Sequence, residues 1–257
     1  MYMQITTVQW NIGGGKISDL TSNDTPSYTK DGLDYICKFL HSVDADIITL
    51  QEVHSDDTLN QAEYLAAQLG MNYYISDFYD DSHIEEGQKL GQAVISKFPI
   101  SGKDFQFYVN PHKETTSDDG LTIWHSHDKG CTWCTVHLGD VDLVVATTHL
   151  VPFRKFGIDT DSAEGKSLLG DIESKLVTST VPQLIQGDFN LDMPLLAPVF
   201  TELSRQHFKE VKQDTPTTPK NKRYDHVVFK GMELIESTVI DTARTDHYPV
   251  VTKFESS

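Results

Sequence analysis

The chain has few cysteines, few cations and no long apolar run, and each shortage closes off a class of protein. Its three cysteines, Cys37, Cys131 and Cys134, are too few and too odd in number for a disulfide framework. They fit a reducing compartment. No stretch of eighteen apolar residues occurs, so no membrane span is expected. The opening MYMQITTVQW lacks the basic region, apolar block and small-residue cleavage site of a secretory leader, and a cytoplasmic location is expected. Lys and Arg number 21 against 38 Asp and Glu, a net charge of −17. Such a chain attracts polyanions poorly, because nucleic-acid affinity comes mainly from cations that neutralise phosphates. A nucleic-acid substrate would therefore need divalent cations or a local basic patch, whereas the acidity by itself serves solubility. No G-x-x-x-x-G-K-[ST] loop is present, since Gly13 to Gly15 precede Lys16 at the wrong spacing. No G-x-S-x-G elbow appears either, which disfavours a serine hydrolase.

What is present is a long alternation of short apolar runs and amphipathic segments over 257 residues. MQITTVQWNI, ADIITLQEV, MNYYISDFY, GQAVISKFPI, CTWCTVHL, VDLVVATTHL, VPQLIQGDFNLD, RYDHVVFKG, MELIESTVI and HYPVVTKF read as strands. YTKDGLDYICKFLHSV places Leu33, Ile36, Cys37, Phe39 and Leu40 at helical spacing, and LNQAEYLAAQLG is a helix stopped by Gly70. Further helices are expected around Ala163 to Leu176 and in APVFTELSRQHF. The polar, turn-rich stretch from Asn110 to Lys129 reads as a long loop of the kind that forms lids and binding edges. No repeat or linker interrupts the series, so residues 1–257 are expected to form one domain. Strands outnumber helices and many look apolar on both faces, which predicts two packed sheets with helices outside, an α+β sandwich.

The apolar runs end, one after another, on groups that handle metals or protons. These ends are Trp10-Asn11, Gln51-Glu52, Thr148-His149, Asp188-Phe189-Asn190, Asp225-His226 and Asp246-His247. Singly, each is an ordinary turn or capped core residue. Their recurrence is what the floor of an active site requires. Carboxylates, amides and imidazoles without a thiolate cluster suit Mg²⁺ or Mn²⁺. Beside an anionic ester such an ion polarises the phosphoryl oxygen while a carboxylate activates water, so phosphoester hydrolysis is the natural reaction.

The ordered motifs QWN, TLQEV, GQAVISKFPI, TTHL, QGDFNLD, RYDHV and TDHYPV span nearly the whole chain. Together they resemble the endonuclease/exonuclease/phosphatase superfamily, which includes deoxyribonuclease I. The resemblance implies a four-layer α/β/β/α sandwich of two mainly antiparallel sheets, with the site at one rim. It implies that Glu52 is the main ligand of Mg²⁺ or Mn²⁺, with Asn11 and Asp246 near the metal or its waters. Asp188 resembles the carboxylate that orients or deprotonates water, and Asn190 the amide that holds phosphate oxygens. His247 resembles the imidazole that bonds the phosphate, oriented by Asp225. His149 resembles the second histidine, a candidate general acid or transition-state stabiliser. The chain departs from the common pattern at Tyr224, where an apolar residue often precedes the Asp.

Two weaker signals accompany these. HSHDKGCTWCTVH holds three histidines and two cysteines, but Cys131 and Cys134 lie three apart in a strand and face opposite ways, which argues against zinc. After TTHL, Arg154 and Lys155 stand between Phe153 and Phe156, where Arg154 is a candidate grip for a substrate phosphate. The expected function is a metal-dependent phosphodiesterase acting on nucleic acid or a nucleotide-like diester. A phosphomonoesterase or a lipid or inositol phosphate phosphatase is the alternative, and a non-catalytic binding module on the same fold a third. A monomer whose partner is its phosphoester substrate is expected. Substrate choice is expected to reside in the loops Gly13 to Tyr28, Asn110 to Lys129 and Pro152 to Asp161.

Overall fold

The computed structural model describes residues 3–19, 27–116, 120–178 and 182–256, and part of the expected Gly13–Tyr28 and Asn110–Lys129 loops lies outside these. Among the described residues two six-stranded sheets carry the fold. The first pairs, in order, Met232–Val239, Val250–Ser256, Met3–Asn11, Ile47–Ser55, Lys89–Ser96 and Tyr73–Asp81. The second pairs Lys209–Glu210, Asp225–Lys230, Gln183–Asp188, Asp142–His149, Gly130–His137 and Ile100–Phe107. Each sheet is antiparallel except for one central parallel pair, Met3–Asn11 with Ile47–Ser55 and Asp142–His149 with Gln183–Asp188.

Parallel neighbours need a crossover. The helices Leu33–Val43 and Ala163–Leu176 supply one for each sheet and cover its outer face. Leu33–Val43 buries Ile36 and Leu40 on the inner stripe its spacing predicts, and Phe39 meets Trp10 edge-on at 5.0 Å. Gln61–Leu69 starts at Asn60, whose side chain accepts from the Ala62 and Glu63 amides, and stops at Gly70 with φ +67. Such a cap is worth about 1 kcal/mol. Three apolar layers result: one between the sheets, including Ile5, Val145, Leu184, Val227 and Phe254, and one under the helices on each side. This is the four-layer sandwich. No helix among the described residues is long and apolar enough to cross a membrane.

Toward one rim the inter-sheet space turns polar, which corrects the reading of these strands as apolar on both faces. Gln51 Nε2 donates to Thr147 Oγ1 at 2.8 Å, Gln92 Nε2 to Thr132 Oγ1 and the Thr147 carbonyl at 3.0 Å, and Gln186 Nε2 to Thr7 Oγ1 at 3.0 Å. All are buried. Hydrogen bonds of this kind are worth about 1 kcal/mol each net, and they fix the stacking of one sheet on the other at the end where the site lies.

Other expectations need revision. Ile100–Phe107 is a strand that sequence periodicity did not announce: as an edge of the second sheet it leaves Ser101 to Asp104 exposed, so no alternation marks it. The stretch from Asn110 to Lys129 is not a bare loop, since Glu114–Thr116 pairs with Ile123–His125. The helix expected in APVFTELSRQHF shrinks to Thr201–Arg205. Tyr28–Asp31, expected at the start of a helix, pairs as a strand with Lys16–Ser18.

Candidate active site

Both parallel pairs bring their C-terminal ends to the same rim. Asn11 lies in register with Gln51, His149 with Asp188, and Asp188 in turn with Asp225. Glu52 is placed by an irregularity: pairing slips between Gln51 and Val53, and Glu52 adopts φ +52. A bulge of this kind re-aims a side chain, and a non-glycine residue there costs about 1–3 kcal/mol that the surrounding strands must offset. Gly187, just before Asp188, permits an equally close approach, because a Cβ there would lie 2.1 Å from the Thr148 carbonyl oxygen.

Asp188 is the point of convergence. Asn11 Nδ2 donates to its Oδ2 at 3.0 Å, and His149 Nε2 and His247 Nε2 stand 3.5 and 3.6 Å from that same oxygen. Its Oδ1 accepts from the backbone amide of Asn190 at 2.8 Å, and Asn190 Nδ2 donates to the Leu150 carbonyl at 2.8 Å. Burial pushes the Asp188 carboxyl up to about 7, with the Asp225 charge adding to the rise and His247 opposing it. A carboxylate so poised can exchange a proton with water near neutral pH.

His247 is held from behind. Its Nδ1 lies 2.8 Å from Asp225 Oδ2, and Asp225 Oδ1 accepts from Gln9 Nε2 at 2.6 Å. Burial alone would lower the imidazole, but Asp225 and Asp188 outweigh it and hold the group well above its ordinary value. Both carboxylates thus favour the protonated ring. Tyr224 lies beside it, ring centroids 6.2 Å apart, so this tyrosine lines the rim as well as packing.

A third corner gathers oxygen ligands. Burial raises the Glu52 carboxyl, the neighbouring Asp246 charge raises it further, and Asn11 bonds it. Asp246 Oδ1 is buried without a hydrogen-bond partner. Gly13 makes room for it: a Cβ there would stand 2.8 Å from that oxygen, and the Gly13 amide donates to Asn11 Oδ1 at 3.0 Å. Among the described residues no three His, Cys, Asp or Glu side chains enclose a metal by themselves. Two carboxylates with an amide, one acceptor still unpaired, match the sparse protein ligation of Mg²⁺, which keeps several waters and takes substrate phosphate. The donor set fits a hard divalent cation.

Sequence reasoning missed Lys129 and Tyr79. Lys129, only 4% exposed, places Nζ 3.0 Å from His149 Nδ1 and 3.3 Å from Nε2. Tyr79 OH is 3.2 Å from the same Nδ1. Burial lowers the Lys129 ammonium to about 8 against the pull of Glu52, Asp188 and Asp80. Burial and the charges of Lys129 and His247 push the His149 imidazole well down, so it is neutral. A lone lysine before a strand is indistinguishable in sequence from any surface lysine, and no spacing links it to Tyr79.

Arg154 does not join this web. It is exposed in the short turn Phe153–Phe156, and its charge reaches Tyr224 at the rim. Cys131 lies in the layer under the helices and Cys134 in the layer between the sheets, as expected, so the two thiols cannot share a metal.

Residues 8–247 match the model of the Endonuclease/Exonuclease/phosphatase family. No curated protein sequence matches the chain. Among solved structures, an endonuclease/exonuclease/phosphatase from Beutenbergia cavernae is 19% identical with a TM-score of 0.74, over 99% of this chain and 72% of that one. The human Nocturnin catalytic domain with bound sulfate is 14% identical with a TM-score of 0.63, over 99% and 96%. A mannosyl-6-phosphatase from Bacteroides thetaiotaomicron is 18% identical with a TM-score of 0.61, over 97% and 99%. At these identities the likeness is one of fold.

Proposed function

The chain belongs to the endonuclease/exonuclease/phosphatase family, and from that premise we propose that it is a Mg²⁺- or Mn²⁺-dependent phosphodiesterase. Its substrate is a nucleic acid or nucleotide-like diester, cleaved by attack of water. The observation that carries this reading is the single Asp188 oxygen on which Asn11, His149 and His247 converge, together with the unpaired Asp246 Oδ1.

The geometry supports the following roles. Asp188 orients the attacking water and takes its proton, a task suited to a carboxyl held near 7. His247, charged and fixed by Asp225, faces an anionic phosphoryl oxygen with Nε2–H. Asn190 spends one amide hydrogen on the Leu150 carbonyl and has a second to offer the phosphate. Glu52 and Asp246, with Asn11 alongside, would hold the metal, which supplies charge to polarise the phosphoryl oxygen and stabilise the leaving oxyanion. Arg154 grips a more distant phosphate of the substrate, and the chain acts as a single-domain monomer in the cytoplasm.

One observation favours a second reading on the same chemistry. A net charge of −17, with Lys222 and Arg154 the cations whose charge reaches Tyr224 at the rim, suits a small phosphomonoester better than a long polyanion. Sugar, lipid and inositol phosphates belong to that class. A non-catalytic role is disfavoured because each expected catalytic position holds a competent residue. The test is hydrolysis of bis(p-nitrophenyl) phosphate beside p-nitrophenyl phosphate, after EDTA and after Mg²⁺ or Mn²⁺ is restored. Metal-dependent cleavage favouring the diester supports the phosphodiesterase. Preference for the monoester moves the assignment to a phosphatase, and inactivity on both esters and on oligonucleotides with bound metal revives the binding module.

A further inference from the structure

The run Gly13-Gly14-Gly15, wrongly spaced for a phosphate loop, has another use in the structure. All three residues take positive φ, +52, +64 and +78, so the chain turns sharply where the strand Met3–Asn11 ends. One side chain, Gln61, clasps this turn to the strand that carries Glu52. Its Oε1 accepts from the His54 amide at 2.8 Å, and its Nε2 donates to the Gly14 carbonyl at 2.8 Å. We propose that Gln61 is a positioning residue that sets the spacing between Glu52 on one side and Asn11 and Asp246 on the other, and thereby the affinity for the divalent cation. The inference rests on the metal-dependent reading above for what these groups hold, but the clasp itself does not.

Both ends of the clasp adjoin the candidate ligands. His54 follows Glu52 by two residues, just past the slip in pairing with Lys89–Ser96, so an anchor on its amide steadies the irregular stretch from which Glu52 is aimed. Gly14 adjoins Gly13, whose amide donates to Asn11 Oδ1 at 3.0 Å and whose missing Cβ would stand 2.8 Å from Asp246 Oδ1. Among the described residues, the last backbone bond between the two segments runs from the Ile12 amide to the Gln51 carbonyl at 3.0 Å, one residue short of Glu52. Past that point the Gln61 side chain takes the place of the ladder. Because Gln61 bonds the backbone of His54 and Gly14 and no ligand oxygen, its removal is expected to loosen the cation site without taking away a donor.

The clasp is itself held firmly. Gln61 is 7% exposed and opens the helix Gln61–Leu69, whose start is fixed by the Asn60 cap, so its side chain springs from a rigid element. Glycine permits the approach: a Cβ on Gly14 would lie 2.2 Å from His54 Cε1, and one on Gly15 would lie 2.9 Å from Gln61 Nε2.

Mn²⁺ binding followed by calorimetry tests the proposal without turnover. Gln61→Leu removes both hydrogen bonds at nearly constant volume and is expected to weaken Mn²⁺ binding about tenfold. Gln61→Met fills the same space with a more adaptable chain, is expected to do the same, and replaces the leucine variant if that one does not fold. Gln183→Leu is the control. Gln183 is also buried, and its Nε2 donates to the Leu176 carbonyl at 3.0 Å, at the opposite end of the strand Gln183–Asp188 from Asp188. This variant is expected to lower the Tm and to leave Mn²⁺ affinity within about twofold of native. In the metal-free protein, amide hydrogen exchange across residues 11–16 is expected to quicken about tenfold in Gln61→Leu and not in Gln183→Leu. Unchanged Mn²⁺ affinity in the folded Gln61 variants overturns the proposal, as does an equal loss in Gln183→Leu. Should the native protein bind no Mn²⁺, the metal-dependent reading falls, and the exchange of residues 11–16 alone decides whether Gln61 sets their position.

Discussion

Replacing Asp225 by Asn isolates the charge behind His247 with almost no change of shape. Asp225 is fully buried, and its two oxygens serve Gln9 Nε2 at 2.6 Å and His247 Nδ1 at 2.8 Å. An asparagine can keep Oδ1 toward Gln9, but it then turns an NH₂ toward His247, whose Nδ1 must accept and whose ring becomes neutral. What is lost is a charge-assisted hydrogen bond, about 1.5–3 kcal/mol. If His247 meets the phosphate as an imidazolium, that same energy appears in the transition state. At about 1.4 kcal/mol per decade it corresponds to a fall in kcat/KM of about 10- to 150-fold. The pH profile carries the sign. His247 sits above its ordinary value in the folded protein, so the stability and activity that depend on its charge are complete below about 6.5 and are lost as pH rises through the raised value. Asp225→Asn should move that basic limb to lower pH. The assay is kcat/KM against pH at saturating metal. A rate unchanged within about twofold, or a basic limb that stays in place, would refute the assignment of His247 as a carboxylate-supported cation.

Other expectations concern the remaining corners. Asp188→Asn should abolish hydrolysis yet raise the Tm of the metal-free protein at pH 7 in a thermal melt. The carboxyl, held up to about 7 by burial, contributes stability that is present below about 3.9 and lost as pH rises toward 7. Gly13→Ala places a Cβ 2.8 Å from Asp246 Oδ1 at φ +52 and should raise the Mg²⁺ concentration for half-maximal activity about tenfold, read by metal titration. Arg154→Ala should raise KM with little change in kcat, and an unchanged KM removes the phosphate grip.

The long apolar strands, the two crossover helices and the polar residues at those strand ends were legible because each carries a local signature: an apolar run, an amphipathic stripe, a carboxylate or imidazole at the tip. His149, Asp188, Asp225 and His247 come together because parallel and antiparallel pairing aligns those tips. What was not legible is what depends on a distant partner. Ile100–Phe107 is an edge strand without alternation. Lys129 draws its meaning from His149 and Tyr79, 20 and 50 residues away, and the left-handed bulge at Glu52 follows from pairing with Lys89–Ser96. The glutamines at the rim looked like interruptions of apolar strands, and only the facing sheet turns them into cross-links.

The central claim is that this rim hydrolyses a phosphoester by metal-assisted attack of water directed by Asp188. It is tested most directly by comparing the native protein with Asp188→Asn on bis(p-nitrophenyl) phosphate and p-nitrophenyl phosphate, with Mn²⁺ binding to both proteins measured by calorimetry. The account predicts that both bind Mn²⁺ and only the native protein turns over an ester. Turnover that survives in Asp188→Asn would contradict it.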